Sequence, residues 1–307
     1  MLGSRITGWG AALPGTVITN EDFEKRLDTS DAWITERTGI KERRVGGTTA
    51  SLSIEAAQKA MAASGLTPAD IGMLVLATTT PDQTVPATSA TVQAELGLSC
   101  GAFDVNAACA GFVYALVVGH SMILSGVENV LVIGADTLSR ITDMEDRSTA
   151  VLFADGAGAV VLSRTEKNNF LSWDLGVDGS LVPILYCDHG GYLRMEGREV
   201  FKRAVLAMVS SAKAALERAG ITADDVALVV PHQANIRIIE AANKRLGIPM
   251  ERAAIVLDKT GNTSSGSIPL ALAAAADMGR IHPGDNVLFC GFGAGMTWAS
   301  AVVRWGA

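Results

Sequence analysis

One half of this chain repeats the other. Gly65–Val75 (GLTPADIGMLV) resembles Gly220–Val230 (GITADDVALVV), at an offset of 220 − 65 = 155 residues. Asn129–Gly134 (NVLVIG) resembles Asn286–Gly291 (NVLFCG), at 286 − 129 = 157. Between these, Cys109-Ala110-Gly111 falls opposite Ser264-Ser265-Gly266 when the offset of 155 is kept. Matches in the same order at nearly one spacing describe a duplicated unit, which limits the chain to folds built from two like halves. No Pro-, Gly- or Ser-rich linker separates them, so the halves, residues 1–165 and 166–307, are expected in one compact body.

Each half reads as helix, Asp, short β-branched strand, then a further helix and strand. Ser53–Ser64 and Val200–Ala219 have the spacing of amphipathic helices, while Met73–Ala77 and Ala227–Val230 are continuous apolar runs. Such runs suit strands covered on both faces, so the expectation is a layered α/β architecture. Two units related by a pseudo-twofold axis put equivalent loops side by side, which would bring Cys109 to the loop Gly261–Ser267.

Several function classes are disfavoured by composition. A net charge of −7 supplies no basic field for nucleic acid. Cys100, Cys109, Cys187 and Cys290 are irregularly spaced, which suits a reducing compartment better than a disulfide framework. His120, His189, His232 and His282 have no ligand spacing, so no metal is expected. Residues 107–124 carry no charged side chain, yet include Cys109, Gly111, Gly119, His120 and Ser121. That run reads as a buried helix rather than a membrane span. The opening Met1–Ile6 has no long apolar stretch of the signal-peptide kind, and a cytoplasmic location is expected.

Three residues carry chemistry. Cys109 follows the strand end Phe103–Val105 and starts the apolar helix 110–124, where a helix N-terminus favours thiolate and offers unpaired N–H groups. His232 breaks the strand Val229-Val230-Pro231. Asn262 lies in the polar run Lys259–Ser267 that opens the apolar helix Ile268–Ala276. A buried structural cysteine, a loop histidine and a turn asparagine are the plain alternatives. The duplication favours the chemical reading, because it sets the Asn262 loop opposite Cys109.

With their flanks AACAGF, PHQAN and GNTSSGS, these three residues resemble the Cys-His-Asn triad of the β-ketoacyl-[acyl-carrier-protein] synthase III family, in the thiolase superfamily. The run Asp28–Arg44 (DTSDAWITERTGIKERR) is similar to that family's signature, as are Phe153–Ala159 and Gly291–Trp298. The resemblance covers nearly the whole chain. It implies a thiolase-like αβαβα fold and a decarboxylating condensation. Cys109 would take the acyl group from an acyl-CoA, with the N–H groups of Cys109 and Ala294 as oxyanion hole. His232 and Asn262 would then stabilise the enolate formed from malonyl-acyl carrier protein.

The resemblance further implies that Trp33 and Arg147 sandwich the adenine of coenzyme A, with Thr29 and Arg37 nearby. Val85 would close the acyl pocket of a partner in a homodimer, and Phe292 would line an acyl pocket. Arg237, Lys244 and Arg245, on the helix after His232, would dock the acidic carrier protein. Cys290, in an apolar strand, is expected in the core rather than as a second catalytic cysteine. The 179–195 segment reads as short for this family, and Val85 is a branched residue at a position suited to a large aromatic. The first bears on the roof of the active-site entrance, and the second suggests acyl groups longer or more branched than acetyl. Coenzyme A enters as substrate, and no cofactor is expected. A same-fold starter enzyme of secondary metabolism, and a non-catalytic acyl-CoA-binding scaffold, are the alternatives.

Overall fold

The structure, a computed structural model, describes residues 2–306. Its strands are β1 (Gly3–Ala12), β2 (Thr16–Thr19), β3 (Glu42–Val45), β4 (Met73–Ala77), β5 (Gly101–Val105), β6 (Asn129–Thr137), β7 (Asp155–Thr165), β8 (Phe170–Val177), β9 (Leu185–Tyr186), β10 (Arg194–Met195), β11 (Val226–Pro231), β12 (Asn286–Gly293) and β13 (Thr297–Arg304). Two principal sheets hold nine of them, in the orders β1-β7-β6-β4-β5 and β11-β12-β13-β8.

The sheets share one topology. In the first, β4 runs parallel to β5 and β6, while β6–β7 and β7–β1 are antiparallel. In the second, β11 and β12 are parallel, while β12–β13 and β13–β8 are antiparallel. Where the first sheet has β5, the second has a single parallel bridge from Ala253 to Val229.

The two sequence matches turn out to be parts of one device. Thr67 and Thr222 each donate a backbone N–H to an aspartate three residues on, Asp70 and Asp225, at 2.8 Å in both cases. These capping boxes close the turns before β4 and β11. Asn129 and Asn286, at the starts of β6 and β12, then donate their side-chain N–H to the carbonyls of those same aspartates, each at 3.0 Å. The repeated Thr, Asp and Asn therefore fix where each central strand begins.

Five layers result. Helices Gly111–Leu124 and Ser267–Asp277 lie between the sheets and bury side chains against both, which explains why neither carries a charged residue before its last position. Helix Thr49–Ser64 covers the outer face of the first sheet, and helices Gly197–Ala219 and Ile236–Leu246 that of the second. Burial of each Val, Leu or Ile in such a layer is worth about 1.5–3 kcal/mol. Among the described residues, no helix is long and apolar enough to cross a membrane.

One expectation shifts by a residue. Each middle helix is preceded by a single 3-10 turn, Ala108–Ala110 and Ser264–Gly266, and each turn begins on a non-glycine residue with positive φ: Ala108 at +48° and Ser264 at +49°. Helix starts Gly111 and Ser267 are 267 − 111 = 156 apart. Cys109 is thus equivalent to Ser265, not to Ser264. The second half gains one residue before this turn and another after it, which an ungapped offset of 155 cannot register.

Candidate active site

Cys109, His232 and Asn262 converge on a cavity of ≈ 150 Å³, whose walls include Phe153, Phe201 and Phe292. Each reaches it from a strand end or a loop beside one. Cys109 is delivered by β5 and its turn. His232 follows β11, and its N–H donates to the Cys290 carbonyl of β12 at 2.8 Å. Asn262 is held as a one-residue strand: its N–H donates to Leu152 O and its carbonyl accepts from Ala154 N, both at 2.9 Å.

The side chains of His232 and Asn262 are oriented from behind. Ser267 Oγ lies 2.6 Å from His232 Nδ1 and accepts the Gln233 N–H at 3.3 Å. Among the described residues the Ser267 hydroxyl has no other acceptor, so its proton is directed to Nδ1, which leaves Nε2 as the protonated, donating nitrogen. Burial pulls the His232 pKa down to about 3, so the ring is neutral at working pH. Phe292 meets it edge-on at 5.3 Å. Asn262 Oδ1 accepts the Ser264 N–H at 2.9 Å, which fixes the amide with Nδ2 available toward the cavity. Gln233 ties the surrounding loops: Nε2 donates to Pro231 O and Ala254 O, and Oε1 accepts from Val256 N and Leu257 N.

A second influence opposes the thiolate that the helix start favours at Cys109. Burial pushes its thiol up to about 12, and the Asp136 charge adds to this, while the Ser264 hydroxyl and the Cys109 backbone work the other way. Desolvation therefore opposes the helix terminus at this half-buried sulfur. Cys290 is buried in β12 as core, as expected.

Two further cavities adjoin the first. A larger one, ≈ 570 Å³, also opens on Cys109 and is lined by Ala294 and by apolar residues such as Leu138, Ile141, Val182 and Leu193. Its rim is the 179–195 segment, here a 3-10 turn Gly179–Ile184 and the hairpin β9–β10. The other, ≈ 470 Å³, shares Leu152, Phe201 and Asn235 with the central cavity and reaches Trp33, Arg37, Arg198 and Arg237 near the surface. The three cavities therefore adjoin in series: one with a basic, aromatic lining, the central one at Cys109, and a larger one of mixed lining that opens at the 179–195 segment.

The remaining residues fall as follows. Trp33 sits on helix Asp31–Thr38, capped by Ser30, with the guanidinium carbons of Arg37 and Arg147 at 4.9 and 5.0 Å from its ring centroid. Arg147 thus touches Trp33 directly, and a base can enter between them only if the guanidinium swings away. Thr29 Oγ1 is buried without a partner. Arg237, Lys244 and Arg245 are exposed on helix Ile236–Leu246, and Arg237 stacks over Phe201 at 5.8 Å. Phe292 lines the smaller cavity, where it meets the His232 ring, and not the larger one. Val85 is 80% exposed and lines none of these cavities, so any acyl pocket it closes belongs to a second copy. Sequence reasoning passed over Ser267 and Gln233, although both lie inside the quoted runs, and over Phe153, Arg198 and Phe201.

Comparison with known proteins agrees with this geometry. The family described as 3-Oxoacyl-[acyl-carrier-protein (ACP)] synthase III matches residues 103–179, and its C-terminal part matches residues 216–305. The chain is 50% identical to the Beta-ketoacyl-[acyl-carrier-protein] synthase III of Sinorhizobium medicae, over 99% of this chain and 100% of that protein. With the corresponding protein of Erythrobacter litoralis it shares 48% identity over 99% and 100%. The crystal structure of 3-oxoacyl-[acyl-carrier-protein] synthase III from Aquifex aeolicus superposes with a TM-score of 0.97 at 47% identity, covering 99% of this chain and 100% of that one.

Proposed function

The chain belongs to the β-ketoacyl-[acyl-carrier-protein] synthase III family, and we propose that Cys109, His232 and Asn262 carry its reaction. The activity is that of a condensing acyltransferase that starts fatty acid biosynthesis. One observation carries the assignment of residues: a thiol and two fixed hydrogen-bond donors line a single cavity, and the thiol also lines the larger cavity beside it.

Cys109 sulfur attacks the thioester carbonyl of a bound acyl-CoA. The bond between the acyl carbon and coenzyme A sulfur breaks, the thiol proton leaves on that sulfur, and the acyl group stays on Cys109. The N–H groups of Cys109 and Ala294 receive the transient oxyanion. Coenzyme A lies along the mouth, its adenine taken between Trp33 and a displaced Arg147, with Thr29 and Arg37 nearby. Malonyl-acyl carrier protein then docks on Arg237, Lys244 and Arg245 and enters by the same channel. Loss of CO₂ leaves an enolate, whose oxygen accepts from His232 Nε2 and Asn262 Nδ2. Its carbon attacks the acyl-Cys109 carbonyl, the C–S bond breaks, and the 3-oxoacyl thioester leaves. Each step is carried by a thiol and neutral donors, and the reading includes no metal or redox group.

The enzyme acts as a cytoplasmic homodimer in this reading, with Val85 closing the partner's chamber. The apolar chamber suits branched or medium acyl groups. Turnover of acetyl-, isobutyryl- and octanoyl-CoA with malonyl-acyl carrier protein tests it. Use of acetyl-CoA alone rejects the wider acyl range, and no product from any of them rejects the catalytic assignment. A starter enzyme of secondary metabolism is not favoured, since the full-length relatives above bear the fatty acid enzyme's name.

A further inference from the structure

The duplication leaves a second, silent copy of the nucleophile's turn, and the two copies differ in what faces them. Matching β6 to β12 from Asn129 and Asn286 sets Asp136 opposite Gly293, since 293 − 136 = 286 − 129 = 157. Each stands at a strand end against the turn contributed by the other half. Asp136 faces Ser265, and Gly293 faces Cys109.

In the silent copy the N–H at the nucleophile's place is already used. Asp136 Oδ2 accepts from Ser265 N at 2.9 Å and from Ser265 Oγ. Its other oxygen accepts from Thr78 Oγ1, Thr79 N and Thr80 N, so the fully buried carboxylate is anchored on both sides. In the catalytic copy that position has no side chain. A Cβ on Gly293 would stand 2.5 Å from Cys109 N and 2.8 Å from Ala108 Cβ. The Gly293 backbone is extended, φ −155° and ψ −177°, so space and not conformation requires glycine here. Among the described residues, no carbonyl or carboxylate accepts from the Cys109 N–H.

We propose that Gly293 is the positioning residue that keeps the Cys109 N–H open to the substrate thioester oxygen, and that Asp136 fills the equivalent hole of the silent copy with its own carboxylate oxygen. This rests on the reading of Cys109 as acyl carrier. The two halves would share one anion-receiving turn, with an internal carboxylate in one and substrate in the other.

The test separates the half-reactions in the full-length protein. Acylation is followed by intact mass after mixing with acetyl-CoA, and decarboxylation by CO₂ released from malonyl-acyl carrier protein, which uses His232 and Asn262. Gly293→Ala is expected to slow acylation about a hundredfold, the cost of one oxyanion donor, while decarboxylation stays within about fivefold. A general structural disturbance would lower both alike. Asp136→Asn, which removes the silent plug, is expected to leave acylation within about threefold of wild type. It can still overturn the proposal if Gly293→Ala does not fold. Equal loss of both half-reactions in Gly293→Ala, unchanged acylation in it, or acylation slowed about a hundredfold by Asp136→Asn would each overturn the proposal. A wild-type protein that takes no acyl group from acetyl-, isobutyryl- or octanoyl-CoA rejects instead the assignment of Cys109.

Discussion

Replacing Ser267 by alanine should separate the two half-reactions from the opposite side. Ser267 touches neither coenzyme A nor the acyl group in this account; its Oγ lies 2.6 Å from His232 Nδ1 and holds the Gln233 N–H at 3.3 Å. Its loss leaves two buried polar groups without a partner, worth about 1–3 kcal/mol of stability each. It also removes the proton that sets the His232 tautomer, so Nε2 is no longer always a donor. Complete loss of such a donor costs about a hundred- to a thousandfold in rate. Partial loss should therefore slow decarboxylation about ten- to a hundredfold, or about 1.4–2.7 kcal/mol in the barrier. Acyl transfer from acetyl-CoA to Cys109 should remain within a few-fold, because His232 plays no part in it here. Single-turnover acylation by mass and CO₂ release from malonyl-acyl carrier protein give the two rates. Equal slowing of both, or normal decarboxylation, refutes the tautomer argument.

Two further outcomes follow from ionisation. Cys109 held as a thiol, with its pKa pushed up to about 12, should be alkylated by iodoacetamide about tenfold faster for each pH unit between 7 and 10. A plateau starting near pH 7 would mean that the helix terminus, not burial, governs the sulfur. His120 and His232 are both buried, with pKa values lowered to about 4 and about 3, below the ordinary 6.5. The unfolded chain takes their protons first, so the stability is full above pH 6.5 and is lost as pH falls toward those lower values. Urea unfolding should show a loss of about 2 kcal/mol per histidine between pH 7 and pH 5. A flat profile over that interval contradicts the burial of both rings.

The parts of this molecule legible in the sequence are those that use a local, repeated device. Thr67, Asp70 and Asn129 recur as Thr222, Asp225 and Asn286 because each set closes the same turn and starts the same strand. Topology then follows, since strands of one pattern and helices without charge can be stacked in few ways. The turn at Cys109 was placed one residue off because its register depends on positive φ at Ala108 and Ser264, and neither residue signals it. Ser267 reads as an ordinary residue at a helix start; only the packing of that helix beneath β11 shows that its hydroxyl meets His232. The pull toward thiol at Cys109 is hidden for a related reason. A helix terminus is visible in a sequence, but the desolvation that opposes it comes from both halves together. Phe292 likewise lies in a strand whose end faces a neighbour, and the neighbour decides which cavity it lines.

The central claim is that Cys109 carries the acyl group between the two half-reactions. Peptide mass analysis after mixing with acetyl-CoA should find one acetyl group, on the peptide that contains Cys109. Addition of malonyl-acyl carrier protein should discharge it within a turnover and yield 3-oxobutanoyl-acyl carrier protein. An unmodified Cys109 peptide, an acetyl group on Cys187 or Cys290, or an adduct that malonyl-acyl carrier protein fails to discharge would contradict the account.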